Sequence, residues 1–195
     1  ERQDAEHLDE RAAMLAHHWD EAGEALAAAR WHWRAARWVE RTDLAASKLH
    51  WERVRALLRE VPDDREVAAL RIAACLQLLI GGPMFGKGLD EARALLEEGQ
   101  SLANAVGDRR AHLSLSIVYS YALGAAGNVE ADVELAIENQ HAALEIDDIG
   151  LQASASMYLT AALAVAGRLQ EAFQLAEDGL ARFPRHSRSD DFTAA

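Results

Sequence analysis

The chain has 195 residues, of which 50% are hydrophobic and 27% charged, and its formal net charge is −12 at pH 7. This length allows one domain or one repeat array with a buried core. Only three prolines occur, and Ala, Leu, Arg and Glu, which are strong helix formers, dominate. We therefore predict an all-α protein. The acidic balance argues against a nucleic-acid-binding domain, which usually has a basic face and a high pI.

Hydropathy and cysteine content exclude further classes. The longest apolar passage, residues 67–80, is interrupted by Arg71 and Gln77, so no membrane span is predicted. The single Cys75 rules out an internal disulfide and fits a reducing compartment. We expect Cys75 to be buried and inert, and the protein to be cytoplasmic. No signal peptide is predicted, and the start at Glu1 suggests a piece of a longer protein.

Caps and helix breakers divide the chain into nine predicted helices. Gly23 ends the first, and Asp43 and Asp64 are typical N-caps that open the third and fourth. Gly81-Gly82-Pro83 must break the fourth helix. The predicted helices cover about residues 5–20, 24–39, 44–61, 65–80, 89–106, 109–126, 129–146, 149–166 and 169–183.

A spacing of 40 residues relates three of these segments. Leu89, Val129 and Leu169 hold the same place in similar sequences, and Ser114 recurs as Ser154. A fixed period of this size predicts stacked helical repeats. The pattern weakens toward the N-terminus. We therefore divide the chain into irregular N-terminal helical repeats, a regular array and a disordered tail, at residues 1–64, 65–186 and 187–195.

The last repeat resembles a tetratricopeptide repeat in its long form. The residues that carry the resemblance are Leu159, Thr160, Leu163, Gly167, Leu169, Ala172, Ala176, Gly179 and Pro184. The preceding repeat departs from the pattern because Asp132 stands where Ala is usual. The resemblance implies a right-handed superhelical array of antiparallel helix pairs, a tetratricopeptide-like solenoid that binds proteins and has no catalytic residues.

In that family the first helix of each pair lines a concave groove. The resemblance places the following residues there: Ser114, Ile117, Tyr121, Gly124 and Ala125 in one repeat, and Ser154, Met157, Ala161, Ala164 and Val165 in the next. These side chains are small or apolar. The Lys and Asn side chains with which some relatives hold a terminal carboxylate are missing. We expect this groove to bind an apolar helix or an extended segment.

A second resemblance concerns residues 15–23 and 28–32, which read LAHHWDEAG and AARWH. They are similar to a segment of large bacterial signalling proteins that carry a class III adenylate cyclase domain and an AAA-type ATPase domain before a helical repeat region. The resemblance implies that this piece is the C-terminal scaffolding or sensory part. The metal-binding aspartates of the cyclase and the phosphate loop of the ATPase are absent from the 195 residues of this sequence.

No motif in the chain predicts catalysis, a metal site or a cofactor. GxxxxGK[ST], GxGxxG, GxSxG, CxxC and HExxH are all missing. The loop at residues 81–88 is glycine-rich, but it lacks the Ser or Thr of a phosphate cradle and is predicted to be a plain connection. His17 and Glu21 have the spacing of a metal pair, yet no third ligand follows at a diagnostic distance.

Charged and aromatic residues offer a second candidate surface. Arg30, Arg34, Arg37 and Arg41 recur at helical spacing, and we predict one stripe along the second helix. This stripe is either solvated or a dock for an acidic protein; binding of single-stranded nucleic acid is disfavoured by the acidic chain. The five Trp between residues 19 and 51 are core residues or, around Trp31, Trp38 and Trp51, a ligand-stacking platform.

These observations favour a non-enzymatic scaffold domain that contacts a protein segment or an upstream domain of the same chain. One alternative is small-molecule sensing near the Trp cluster. Another is a homodimer in which the arginine stripe meets the acidic seventh helix of a second copy. We predict the acidic residues of that helix to form a solvated face; they are, with the following loop, Glu130, Asp132, Glu134, Glu138, Glu145, Asp147 and Asp148.

Overall fold

A computed structural model describes residues 8–62, 64–86 and 88–182. Within them the regular secondary structure is entirely helical and contains no strand, which confirms the all-α prediction. The predicted tail lies outside the described residues. Residues 8–10 are helical as well and precede a turn at Arg11. The helices that follow are α1 (Ala12–Glu21), α2 (Ala25–Val39), α3 (Leu44–Leu58), α4 (Arg65–Gly81), the short 3-10 helix Gly82–Phe85, α5 (Leu89–Ala105), α6 (Arg109–Ala125), α7 (Val129–Leu144), α8 (Ile149–Val165) and α9 (Leu169–Arg182).

Aspartate side chains start four of the helices. Asp43, Asp64, Asp108 and Asp148 each accept a hydrogen bond from the backbone N–H three residues later, at 2.8–2.9 Å. Each bond satisfies a donor that the helix itself leaves unpaired. These caps open α3, α4, α6 and α8, and they explain why the predicted helix starts match the observed ones within a residue.

Glycines end four of the helices in one shared geometry. Gly23, Gly107, Gly127 and Gly167 all have positive φ, which is costly for residues with a Cβ. At Gly167 the amide donates to the Ala164 carbonyl, and the next amide donates to the Leu163 carbonyl, at 3.1 and 2.9 Å. This pair of bonds is the Schellman motif. It turns the chain back after three residues, so that consecutive helices pack side by side.

The helices pack in consecutive pairs, and contacts between second neighbours join α2 to α4, α4 to α6 and α6 to α8. We call these four helices the first-helix row. Their starts are 40, 44 and 40 residues apart, and the four additional residues match the length of the 3-10 helix. α2 belongs to this row because it contacts α4, its second neighbour.

The largest core cluster runs from α2 to α6 and crosses residue 64, where we had placed a domain boundary. Cys75 is fully buried within it, as expected. Burial and the nearby Glu98 carboxylate raise the pKa of the Cys75 thiol to about 12. Gly99 allows α5 and α6 to approach closely, because a Cβ there would lie 2.7 Å from a methyl of Leu115. Two smaller clusters join α6 to α9.

One helical segment, Arg65–Phe85, is long and apolar enough to cross a membrane. It comprises α4 and the 3-10 helix. Seven of its α4 side chains are buried, and α4 contacts α2, α3, α5 and α6. These contacts are those of a core helix. A buried core helix can be as long and as apolar as a helix that crosses a membrane.

Candidate functional site

The predicted groove residues lie on α6 and α8, which contact each other in the first-helix row. Tyr121 and Met157 are 44% and 56% exposed, and Ala161 and Ala164 are also exposed. Ser114 and Ser154 are half-buried. The structure therefore gathers most of the predicted residues on one side of two neighbouring helices.

Ile117 does not belong to this surface. Its side chain is 2% exposed and lies in a core cluster with Leu113, Ala143, Leu151 and Ala155, contributed by α6, α7 and α8. The family position had placed it in the groove. Because α8 and α7 both pack against this part of α6, an Ile here fills the space between helices and cannot contact a partner.

An aromatic pair joins the two helices of the surface. The rings of Tyr121 and Tyr158 have centroids 6.2 Å apart at an angle of 66°, an edge-to-face contact. Burial and the neighbouring Tyr121 raise the pKa of the Tyr158 hydroxyl. Tyr158 was not among the predicted residues. Its only sequence signal was its position next to Met157 in the repeat.

We define the α6/α8 patch as Tyr121, Met157, Ala161, Ala164 and Val165. The four α8 residues recur at spacings of four, three and one, so they share one helix face. Val165 is exposed like Met157. Exposed apolar side chains that are contiguous mark interaction sites more often than scattered ones do.

The predicted arginine stripe is divided among separate interactions. Arg30 on α2 forms a two-pronged ion pair with Glu66 on α4, at 2.6 and 2.7 Å. Arg34 pairs with Asp9, and its guanidinium lies 5.5 Å from the Trp31 ring centroid. These arginines hold the N-terminal helices together. They are therefore poor candidates for docking an acidic partner.

The remaining two arginines lie nearer the end of α2. Arg37 stacks on Trp33, with 4.9 Å between guanidinium carbon and ring centroid. Arg41 is exposed just beyond the helix. Arg37 occupies the same helical position in α2 that Tyr121 occupies in α6 and Ala161 in α8. The two predicted surfaces are thus parts of one row, basic and aromatic at α2 and apolar at α8.

A histidine pair between α2 and α3 escaped the sequence analysis. The Nδ1 atoms of His32 and His50 are 2.8 Å apart, and His32 Nε2 lies 3.6 Å from a carboxylate oxygen of Asp20. Asp20 also accepts two hydrogen bonds from Arg53, each 2.6 Å. Burial, together with His50, lowers the pKa of His32 to about 4. Burial likewise lowers the pKa of His50.

This pair does not have the arrangement of a metal site. His32 directs its two ring nitrogens to different groups, His50 and Asp20, so the three residues do not converge on one point. Among the described residues, no group of three or more His, Cys, Asp or Glu side chains could hold a metal ion. His17, weighed earlier with Glu21, is exposed beside His18.

The tryptophans are distributed rather than assembled into one platform. Trp51 is buried in the main core, Trp31 is half-buried and Trp38 is exposed. A small cavity borders Trp51, between α3, α4 and the 3-10 helix, and neither Trp31 nor Trp38 lines it. The reading of Trp51 as a core residue agrees with its burial.

The acidic helix α7 is not uniformly solvated. Glu130, Glu134 and Glu138 are exposed, as predicted, but Asp132 is only 4% exposed. Its carboxyl group packs against α6 at Gly124, where a Cβ would collide with it. Burial raises the pKa of the Asp132 carboxyl to about 6. A hydrogen bond with Ser120 lowers this pKa, but its effect is smaller than that of burial.

The glycine-rich loop between α4 and α5 borders a cavity that is larger than the one beside Trp51. This cavity of about 350 Å³ is lined by aliphatic side chains and loop residues of α4, α5 and α6. Its lining is Leu78, Leu79, Gly82, Pro83, Gly86, Gly88, Leu89, Ala92, Leu95, Ala122, Ala125 and Ala126. Lys87 of this loop lies outside the described residues.

The geometry defines a class of protein: an all-helical chain of consecutive helix pairs with a shared row of first helices. No protein-family model matches the chain, and no curated protein matches it either. The resemblance to tetratricopeptide repeats and to cyclase- and ATPase-linked signalling proteins therefore stays a prediction from the quoted residues.

Proposed function

We propose that this chain is a non-enzymatic protein–protein interaction domain that binds through the α6/α8 patch. The observation that carries the proposal is the exposure of Tyr121 and Met157 on two helices that contact each other. Aromatic and methionine side chains are enriched in protein interfaces. The small Ala161 and Ala164 beside them leave space into which a partner's side chains can fit.

The expected partner is an apolar helix or extended segment. No Lys or Arg occurs between Ala111 and Gly167, so α7, α8 and the part of α6 that follows Arg110 carry no Lys or Arg to bind an acidic motif. We further propose that the row forms the concave side of a right-handed superhelix. The contacts between second neighbours along the row support curvature toward that side.

Substitutions within the patch test the proposal. We expect Tyr121→Arg and Ala161→Arg each to abolish capture of the partner from an extract, because each places a charge in the apolar contact. Leu49→Arg, at an exposed leucine on α3, is the matched control and should capture as well as the original chain. All three variants should keep the original helical circular dichroism. Capture that survives both patch substitutions would exclude this surface.

We also propose a cytoplasmic bacterial signalling protein as the context, with the partner segment supplied by a second protein or by an upstream domain. This rests on the residues at 15–23 and 28–32 alone. Sequencing the gene upstream of Glu1 tests it. A phosphate loop or the metal-binding aspartates of a cyclase are the expected findings, and an unrelated upstream domain would remove the proposal.

Small-molecule sensing is the second candidate, favoured by the apolar cavity of about 350 Å³. This volume lies within the usual range of about 300–1,000 Å³ for ligand pockets. A thermal-shift screen of small aliphatic compounds tests it. A true ligand should stabilise the original chain but not Ala125→Phe, which narrows the cavity at its rim. A shift that is the same in both proteins would refute binding there.

Electrostatic self-association has less support. Arg30 and Arg34 already pair with Glu66 and Asp9 of the same chain. Dimerisation by charge predicts a dimer in low salt that dissociates at 1 M salt, where the Debye length is about 3 Å. A monomeric mass by sedimentation in both buffers would eliminate this alternative.

A further inference from the structure

The last described helix, α9, has two apolar faces, and only one of them is covered. Ala172 and Leu175 pack against α8 in a core cluster. Leu169, Phe173 and Leu180 lie on the other face and are 65%, 65% and 67% exposed. Their spacing of four and seven residues places them on one side of the helix. An apolar side of this kind is normally buried against another element.

The preceding repeat shows what covers the same face. Val133 on α7 stands 40 residues before Phe173, at the same helical position. It is 5% exposed and lies in one core cluster with Leu159, Ala162 and Leu163 of α8. Nearby, the Gln140 side-chain amide donates to the Ser156 hydroxyl of α8 at 3.1 Å. A helix with alternating Leu and small residues, such as α8, therefore packs well against the face that contains Val133 in α7 and Phe173 in α9.

Polar residues flank the exposed side of α9. Arg168 donates two hydrogen bonds to Glu171, at 2.7 and 2.6 Å, and Gln174 donates to Asp178 at 3.1 Å. Arg168 directly precedes α9, and Gln174 follows Phe173 in the helix and so borders the apolar strip. An apolar centre with a polar rim is the usual anatomy of a protein interface.

The size of the face favours a single helix over a second copy of the chain. A helix of 14 residues is about 21 Å long and about 10 Å wide, which gives a footprint of roughly 200 Å². A stable interface between folded proteins takes about 800 Å² from each partner. The strip matches the side of one helix.

We propose that the outer face of α9, formed by Leu169, Phe173 and Leu180, binds an amphipathic partner helix of the α8 type. The partner presents leucines alternating with Ala or Ser, as α8 does to α7. Leu180 stands where α7 has Gln140, so the partner carries an apolar residue where α8 has Ser156. This surface is separate from the α6/α8 patch, and the proposal does not depend on the proposed function.

A peptide with the sequence of residues 148–166 is the direct probe, because it contains α8 and its Asp148 cap. Carrying Ser156→Leu and a fluorescent label, it should bind the full chain saturably in an anisotropy titration, with a Kd below about 1 mM. Phe173→Asp in the full chain should weaken binding at least about tenfold, as loss of a central aromatic anchor does. Leu49→Arg, at an exposed residue on α3 outside this face and outside the α6/α8 patch, should bind the peptide normally.

Two results would overturn the proposal. The first is the absence of saturable binding at peptide concentrations up to about 1 mM, or binding that Phe173→Asp leaves unchanged. The second is a dimer of the original chain in sedimentation velocity that Phe173→Asp converts to monomer and that excess peptide does not dissociate, since the occupant is then a second copy. Leu169→Glu provides an independent variant, and circular dichroism checks that both variants are folded.

Discussion

The buried carboxyl of Asp132 should make the protein less stable at neutral pH than an uncharged equivalent. The side chain is 4% exposed, and burial raises its pKa from 3.8 to about 6. A carboxyl whose pKa is raised in the folded state favours folding in its neutral form. The free-energy cost of burying the charged carboxylate is therefore absent below the pKa of the unfolded state and is fully developed above the pKa of the folded state. Asp132→Asn keeps the shape and removes the charge.

The pKa difference sets the size of the effect. A shift of about two units corresponds to roughly 3 kcal/mol between the neutral and the charged form. At pH 7 almost the whole penalty applies, whereas at pH 4 only a small part of it remains. We therefore expect the stability of Asp132→Asn relative to the original chain to be about 2 kcal/mol more favourable at pH 7 than at pH 4.

Urea unfolding followed by circular dichroism at both pH values measures this difference. Helical dichroism is preferable to Trp fluorescence, because all five Trp lie before residue 52 and report on the other end of the chain. Glu138→Gln, an exposed residue on the same helix, should show no such pH dependence. A pH effect on Asp132→Asn that is as small as in this control, or of opposite sign, would refute the argument.

Two further predictions concern the N-terminal histidine pair and the helix-ending glycines. Burial and the neighbouring His50 lower the pKa of His32 from 6.5 to about 4, so the folded state keeps this ring neutral. Stability should therefore fall by up to roughly 3 kcal/mol as the pH drops from 6.5 to 4, and His32→Gln should remove much of this loss in acid unfolding curves. Gly127→Ala should lower the free energy of unfolding by about 1–2 kcal/mol, because φ is +85° there, which strains a residue with a Cβ. The added methyl would meet no other atom within 4 Å, so the loss reports backbone strain alone. An unchanged urea midpoint would contradict the strain argument.

Local sequence signals predicted the helices well because each helix end is determined by a few residues. An Asp before a helix and a Gly after it act through backbone hydrogen bonds within a single turn. The register of the N-terminal repeat was harder to predict. α2 holds Arg and Trp at positions where α6 and α8 hold small or apolar residues. The sequence similarity at a 40-residue spacing is therefore lost in α2, although α2 still packs against α4.

The candidate site depends on tertiary contacts, and there the sequence was a weaker guide. The resemblance to tetratricopeptide repeats placed Tyr121 and Met157 on helix faces that are exposed, but it also placed Ile117 there, which points into the core between α6, α7 and α8. Nor could it show that Asp132 is buried, because its acidic neighbours on the same helix are solvated. The His32–His50 contact joins residues 18 positions apart on two helices, and no motif signals it.

The three core clusters imply a gradient of amide exchange along the chain. The largest cluster joins α2 to α6, whereas α9 contributes only Ala172 as a buried residue within the described part of the chain. Local opening takes place where few apolar contacts must be broken. The amides of α9 should therefore exchange with deuterium earlier than those of α4. A helix bound along Phe173 would slow the exchange of the α9 amides first. The part of the chain that opens most readily would therefore show the largest change in exchange when a partner binds.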